Sequence, residues 1–168
     1  MSLQVLRPQL HKDIINMNEL IALLQSALAN NFALYTESHQ NHWAVAGPDF
    51  PQYHEFLKNI YEDAQSATDT YGERLRQLGA YPGLNPDQIE VNRRVPEAIE
   101  IDGPALIDPV EIFQQLNAWI EIIIATLQDA FDAATSVREY GIQNFLADRI
   151  DVHKQQQWMI DSILGLNP

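Results

Sequence analysis

Three stretches of apolar residues at spacings of three and four, followed by a fourth helical segment after Gly141, most constrain the fold of this chain. Such spacing is typical of amphipathic α-helices. Between the second and third stretch, residues 80–107 are rich in proline and glycine and are too long for a tight hairpin. This segment can run the length of a bundle, so that the third long helix starts parallel to the second. The predicted long helices span approximately Lys12 to Trp43, Asp49 or Phe50 to Leu78, Pro109 to Tyr140 and Gln143 to Leu164, with a short helix possible at Asp87 to Arg94.

The predicted helix ends have recognisable sequence signals. Asp108, Pro109 and Glu111 supply an N-cap, a proline in the first turn and an early acid. Gly79 is expected to end the second helix, and Gly141 is expected to break the chain between the third and fourth. The sequence therefore predicts an all-α fold, a ferritin-like four-helix bundle with one long crossover connection carrying a short helix. One domain is expected to cover residues 1–168.

Composition limits the kinds of function that are open to the chain. Its 168 residues are 46% hydrophobic and 20% charged, as in an ordinary globular protein. No cysteine is present, so a metal site must use His, Asp, Glu and water. The net charge of −13 disfavours polyanionic partners and suits cations. We expect no membrane span, because the longest apolar run, Trp119–Ile124, is interrupted by Glu121. Without a recognisable signal peptide, we expect a cytoplasmic protein.

Four metal-competent side chains cluster in the first half of the chain: His42, His54, Asp69 and Glu73. Gly47-Pro48 marks a turn between the two histidines, so the imidazoles can meet. Asp69 and Glu73 lie one helical turn apart on one face. His54 and Asp69 are separated by fifteen residues, roughly 22 Å along one helix at 1.5 Å per residue. One ion cannot bridge that gap, because metal–ligand bonds are about 2 Å long.

Two interpretations follow from this distance. The histidines and carboxylates could be unrelated, with the His-Trp pair serving packing and the acids pairing with neighbouring arginines. Alternatively, a twofold copy of the chain brings its own carboxylates to the histidines, twice by symmetry. The Glu-x-x-His motif of di-iron sites inside bundles does not occur in this sequence.

The sequence resembles the Dps family, the DNA-protecting mini-ferritins of starved bacterial cells, over nearly its whole length. The resemblance rests on the following motifs: His42-Trp43, Gly47-Pro48-x-Phe50, His54-Glu55, Asp69-x-x-x-Glu73-Arg74, Gln77-Leu78-Gly79 and Trp158-Met159. It implies ferroxidase sites shared across twofold interfaces, with His42, His54, Asp69 and Glu73 as catalytic residues and metal ligands. It further implies a hollow homo-dodecamer that oxidises iron(II) with peroxide or oxygen, stores ferric mineral and protects against oxidative stress.

Three departures from the family pattern affect these expectations. Lys58 stands where relatives usually carry an Asp, so a second metal position should be weakened unless His39 or Glu62 substitutes. Asn144 is neutral where relatives often have an acid at the iron pore. The N-terminal residues 1–12 offer few basic groups, so DNA binding should be weak or absent.

Two other functions remain open at this point. The chain could be a DNA-shielding nucleoid protein with little ferroxidase activity. It could also be a structural helical assembly with zinc at the same site.

Overall fold

The computed structural model describes the backbone of residues 3–97 and 106–166, with side chains from residue 16 onward within these ranges. The described chain is helical: α1 (Leu3–Ala44), α2 (Phe50–Gln77), α3 (Pro86–Asn92), α4 (Pro109–Val137) and α5 (Tyr140–Ile163). The predicted all-α bundle is confirmed, and the long connection between α2 and α4 carries the short helix α3. Helix α1 begins about nine residues earlier than the apolar stripe suggested.

Helix α1 lies at the centre of the packing, against α2, α3 and α4, while α5 packs against α4. At one end of the bundle the Ile107 N–H donates to the Ala44 carbonyl over 3.0 Å, and Val45 pairs with Ile107. This contact brings the start of α4 beside the turn where α2 begins. Helices α2 and α4 therefore start at the same end, as expected for a crossover connection.

The predicted cap before α4 is present. The Asp108 carboxylate accepts a hydrogen bond of 2.8 Å from the Val110 N–H, and Pro109 occupies the first turn. Asp49 holds the equivalent position before α2 but makes no side-chain cap hydrogen bond. Gly79 follows α2 with a positive φ of 78°, as predicted for a C-terminal stop.

The break between α4 and α5 lies earlier than predicted. Arg138 adopts a left-handed conformation with φ 65°, and its N–H bonds to the Thr135 carbonyl. The following Glu139 N–H bonds to the Ala134 carbonyl, which closes the last turn of α4. Gly141, which was expected to be the break, lies inside the first turn of α5. The prediction was wrong because an arginine took the conformation that glycine usually supplies.

Helix α4 supplies a large part of the core. By length and composition alone it could cross a membrane, but half of its most apolar stretch is buried inside the bundle. A core helix of a soluble bundle has the same composition. Its largest fully buried side chains are Phe113, Trp119, Ile112 and Leu116.

Candidate metal centre

The tight connection between α1 and α2 brings the two predicted histidines together. His42 lies in the last turn of α1 and His54 in the second turn of α2. Between them the chain reverses at Gly47, whose φ of 122° favours glycine. The two imidazole rings stack with their centroids 3.5 Å apart and an interplanar angle of 21°.

Each histidine is held by the backbone of the other. The Nδ1 atom of His42 lies 2.7 Å from the His54 carbonyl oxygen, and the Nδ1 atom of His54 lies 2.7 Å from the His42 carbonyl oxygen. Since a carbonyl oxygen only accepts hydrogen bonds, both Nδ1 atoms carry the proton and donate. In the neutral rings both Nε2 atoms therefore keep a lone pair, which is the state that a metal ion requires.

Aromatic rings surround this pair. Tyr61 meets the His42 ring edge-on at 5.3 Å, and the Phe50 ring lies 5.0 Å from that of His54. His39, a predicted substitute ligand one turn before His42, is held between two rings instead. Its ring stacks on Tyr61 at 4.1 Å and contacts Trp43 at 4.3 Å. To coordinate a metal at the histidine pair, His39 would have to give up these contacts.

The two carboxylates lie elsewhere on α2. Asp69 and Glu73 are exposed and line a cleft of about 680 Å³ between α2 and the loop that follows it. Leu28, Arg76 and Tyr81 also line this cleft. The carboxylates are thus open to an approaching group. They do not contact the histidines of their own chain.

The intervening length of α2 keeps the two pairs apart. The helix is continuous from Phe50 to Gln77, so His54 and Asp69 are roughly 22 Å apart along it. Among the residues that the structure describes, no group of three or more His, Cys, Asp or Glu side chains could hold a metal ion. Within one chain the histidine pair and the carboxylate pair therefore remain separate.

The structure shows the contacts of the residues that depart from the family pattern. The Lys58 ammonium lies 3.9 Å from the Glu55 carboxylate, in a pair that is partly exposed to solvent. Glu62, the other suggested substitute, is exposed on α2. The Asn144 amide donates to the Asp148 carboxylate over 3.4 Å, so an exposed acid lies one turn beyond the neutral position. The side chains of the N-terminal residues 1–12 lie outside the described part.

Sequence reasoning missed two features of the region around the site. The first is the stacking of the Tyr61 ring on the His39 ring, which places Tyr61 beside the histidines. The sequence offers no simple signal for this contact, because His39 lies nine residues before Pro48 and Tyr61 lies thirteen residues after it.

The second missed feature is a partly buried ion pair that joins α2 to α5. Arg149 donates two hydrogen bonds to the Asp63 carboxylate, of 2.9 and 2.6 Å. The same guanidinium lies 3.2 Å from Nε2 of the fully buried His153, and His153 Nδ1 lies 2.8 Å from the Gln156 amide oxygen. Burial lowers the pKa of His153 to about 4, and the charge of Arg149 adds to this effect. No sequence motif marked this network.

Comparisons with known proteins agree with the fold and identify the family. The family model described as a ferritin-like domain matches residues 21–167. A DNA protection during starvation protein from Brevibacillus brevis is 37% identical over 156 residues, which cover 89% of this chain and 97% of that protein. The chain belongs to the Dps family of ferritin-like proteins.

Two further relatives agree with this assignment. A DNA protection during starvation protein from Halobacterium salinarum is 30% identical over 161 residues, covering 92% of this chain and 86% of that protein. The crystal structure of a Dps protein from Vibrio cholerae O1 superposes with a TM-score of 0.81 at 24% identity, covering 89% and 91% of the two chains. That protein is described as a member of the superfamily of ferritin-like diiron-carboxylate proteins. Membership of this family supports a function in iron storage in general terms.

Proposed function

We propose that this Dps-family protein is a mini-ferritin that oxidises iron(II) at sites shared between two subunits. His42 and His54 of one subunit and Asp69 and Glu73 of its partner bind the iron substrate. The ferric product collects as mineral inside a hollow cytoplasmic dodecamer, which protects the cell against oxidative stress. Hydrogen peroxide, oxygen or both act as the oxidant.

The observation that carries this proposal is the reciprocal hydrogen bonding of the two histidines. Both Nδ1 atoms are engaged by carbonyl oxygens, so both Nε2 lone pairs are available without any rearrangement. A pair of histidines that served packing alone would not need this arrangement. Hydrogen bonds that fix the tautomer of a histidine commonly accompany metal binding.

The donor set fits iron chemically. Imidazole nitrogen and carboxylate oxygen both bind iron(II), and the anionic oxygens favour iron(III) once it forms. Two carboxylates from the partner also neutralise the charge of a divalent ion, which two neutral imidazoles cannot do. The exposed position of Asp69 and Glu73 makes them available to a second copy of the chain.

Iron oxidation by the purified protein tests the proposal. Iron(II) is added without oxygen, the reaction is started with either oxygen or peroxide, and ferric product and particle size are followed together. We expect oxidation well above the rate in buffer, and soluble iron-loaded shells. The His42→Ala and Asp69→Ala variants should lose this activity, whereas Asp132→Asn, which changes an exposed acid on α4, should keep it.

Two results would contradict the proposal. One is an unchanged oxidation rate in both site variants. The other is iron that precipitates outside the protein at the rate seen in buffer.

A further inference from the structure

The guanidinium of Arg149 lies among side chains that are suited to hold a metal ion. Its Nη2 atom lies 2.6 Å from a carboxylate oxygen of Asp63 and 3.2 Å from Nε2 of His153. The Arg149 side chain is 8% exposed, and His153 is fully buried. One nitrogen atom of the arginine therefore contacts a carboxylate oxygen and an imidazole nitrogen at the same time.

His153 has the same tautomer as the two histidines of the candidate metal centre. Its Nδ1 atom lies 2.8 Å from the side-chain oxygen of Gln156, and because that oxygen only accepts hydrogen bonds, Nδ1 carries the proton and donates. The lone pair on Nε2 is then directed at the guanidinium of Arg149. A histidine whose Nδ1–H is fixed by an oxygen and whose Nε2 faces a cation has the arrangement of a metal ligand. In this bundle the cation is a side chain of the protein.

The dimensions of this cluster also fit a metal ion. Bonds from a divalent ion to imidazole nitrogen and carboxylate oxygen are about 2.0–2.2 Å long, so Asp63 and His153 would each move inward by roughly 0.5 to 1 Å. Burial raises the pKa of the Tyr71 hydroxyl to about 12, and the charge of Arg149 opposes this rise, so a further oxygen lies within range of the guanidinium. The Asp63 side chain is 31% exposed, which gives the cluster access to solvent.

An ion pair between α2 and α5 would need only the arginine and the carboxylate. It would not need a fully buried histidine whose lone pair faces the same nitrogen atom. An apolar residue in place of His153 would avoid the cost of burying a polar ring. The histidine therefore indicates a position for a cation with more than one ligand.

We propose that Arg149 fills a latent metal position inside the bundle and keeps divalent cations out of it. Asp63 and His153 are the ligands of this position, and Gln156 orients the histidine. The fixed positive charge of the guanidinium repels a second cation at such short range. Metal binding is thereby left to side chains elsewhere in the protein. This inference does not depend on whether those side chains oxidise iron.

Cobalt(II) binding by Arg149→Ala tests the proposal. The substitution empties the space of the guanidinium and leaves both ligands in place. We expect Arg149→Ala to bind one more cobalt ion per subunit than the parent, with the visible absorption of cobalt bound by nitrogen and oxygen. Adding His153→Leu or Asp63→Asn to Arg149→Ala should remove the extra ion, whereas His153→Leu alone should leave the cobalt stoichiometry of the parent unchanged.

Arg149→Met is the matched control. Methionine removes the charge, but its unbranched side chain still fills the space, so this protein should bind no more cobalt than the parent. Guanidinium chloride at low millimolar concentration, far below the concentrations that unfold proteins, should compete with the extra cobalt ion in Arg149→Ala. The parent should show no such competition.

Thermal unfolding covers the case in which Arg149→Ala is unstable. Loss of the arginine leaves the Asp63 charge without its partner, so the Tm should fall below that of the parent. Cobalt or guanidinium should raise the Tm of Arg149→Ala more than that of Arg149→Met, because each ion refills the position.

Three results would overturn the proposal. A folded Arg149→Ala protein that binds no extra cobalt would do so. So would an extra ion that persists after His153→Leu is added. If Arg149→Ala does not fold by itself, the third result is its failure to fold with either cation.

Discussion

The buried His153 predicts that the bundle loses stability in mild acid. The ring is fully buried, and its Nε2 accepts a hydrogen bond from the positively charged Arg149. Asp63 on α2 faces the same guanidinium, and Gln156 accepts from the other ring nitrogen. A proton on Nε2 would point at the guanidinium N–H groups, so the folded protein strongly prefers the neutral ring.

The size of this loss in the free energy of unfolding follows from the pKa of His153. Burial and Arg149 lower the pKa of His153 from 6.5 to about 4 in the folded protein, while the unfolded chain keeps the ordinary value. Well above pH 6.5 neither state binds the proton, and the contribution to stability is constant. Between pH 6.5 and 4 the unfolded state binds more protons, so the free energy of unfolding falls as the pH falls. At 1.36 kcal/mol per pKa unit, the loss is about 2 kcal/mol between pH 7 and 5 and about 3 kcal/mol by pH 4.

Denaturant unfolding of the parent and His153→Gln at a series of pH values measures this contribution. Glutamine cannot be protonated here, so its free energy of unfolding should fall less steeply with acid than that of the parent. The free energy of unfolding of the parent minus that of His153→Gln should fall by about 2 kcal/mol between pH 7 and 5. This change does not depend on how far apart the two proteins are at neutral pH. Parallel curves would show that His153 does not carry the acid sensitivity.

Three further predictions concern a helix cap, the second metal position and DNA. Asp108→Ala should destabilise the protein by about 1 kcal/mol because it removes a cap hydrogen bond, whereas Asp49→Ala should have little effect in the same unfolding measurement. Lys58→Asp should tighten binding of a second metal ion, and equal stoichiometry and affinity in calorimetric titrations would leave Lys58 without a role. Plasmid retardation with a chelator present should be weak or absent near neutral pH, since each subunit carries a net charge of −13, and salt-sensitive retardation would contradict this.

The helices were predictable because each carries a local signal. Apolar spacing located α2 and α4, and Pro109 in the first turn of α4 together with the Asp108 cap located its start. The break at Arg138 was not predictable in this way. A left-handed arginine has no marker in the sequence, and nearby Gly141 offered a more ordinary alternative.

The histidine pair was predictable from the turn that joins its two helices, but its surroundings were not. The stack of Tyr61 on His39 depends on the register of the hairpin, which a one-residue slip would change. Arg149 and Asp63 are 86 residues apart in the chain, and their pairing depends on how α5 packs against α2. The distance along α2 separates Asp69 and Glu73 from the histidines, so sequence and single-chain structure agree that one chain does not bring the four side chains together.

Subunit mixing tests the shared site most directly. One parent carries His42→Ala and His54→Ala, and the other carries Asp69→Ala and Glu73→Ala, so neither forms a complete site with itself. In a mixed dimer one site keeps all four ligands and the other loses all four. Shells assembled from both parents should therefore regain iron(II) oxidation that each parent lacks. Co-assembled shells with no more activity than either parent would contradict the shared site.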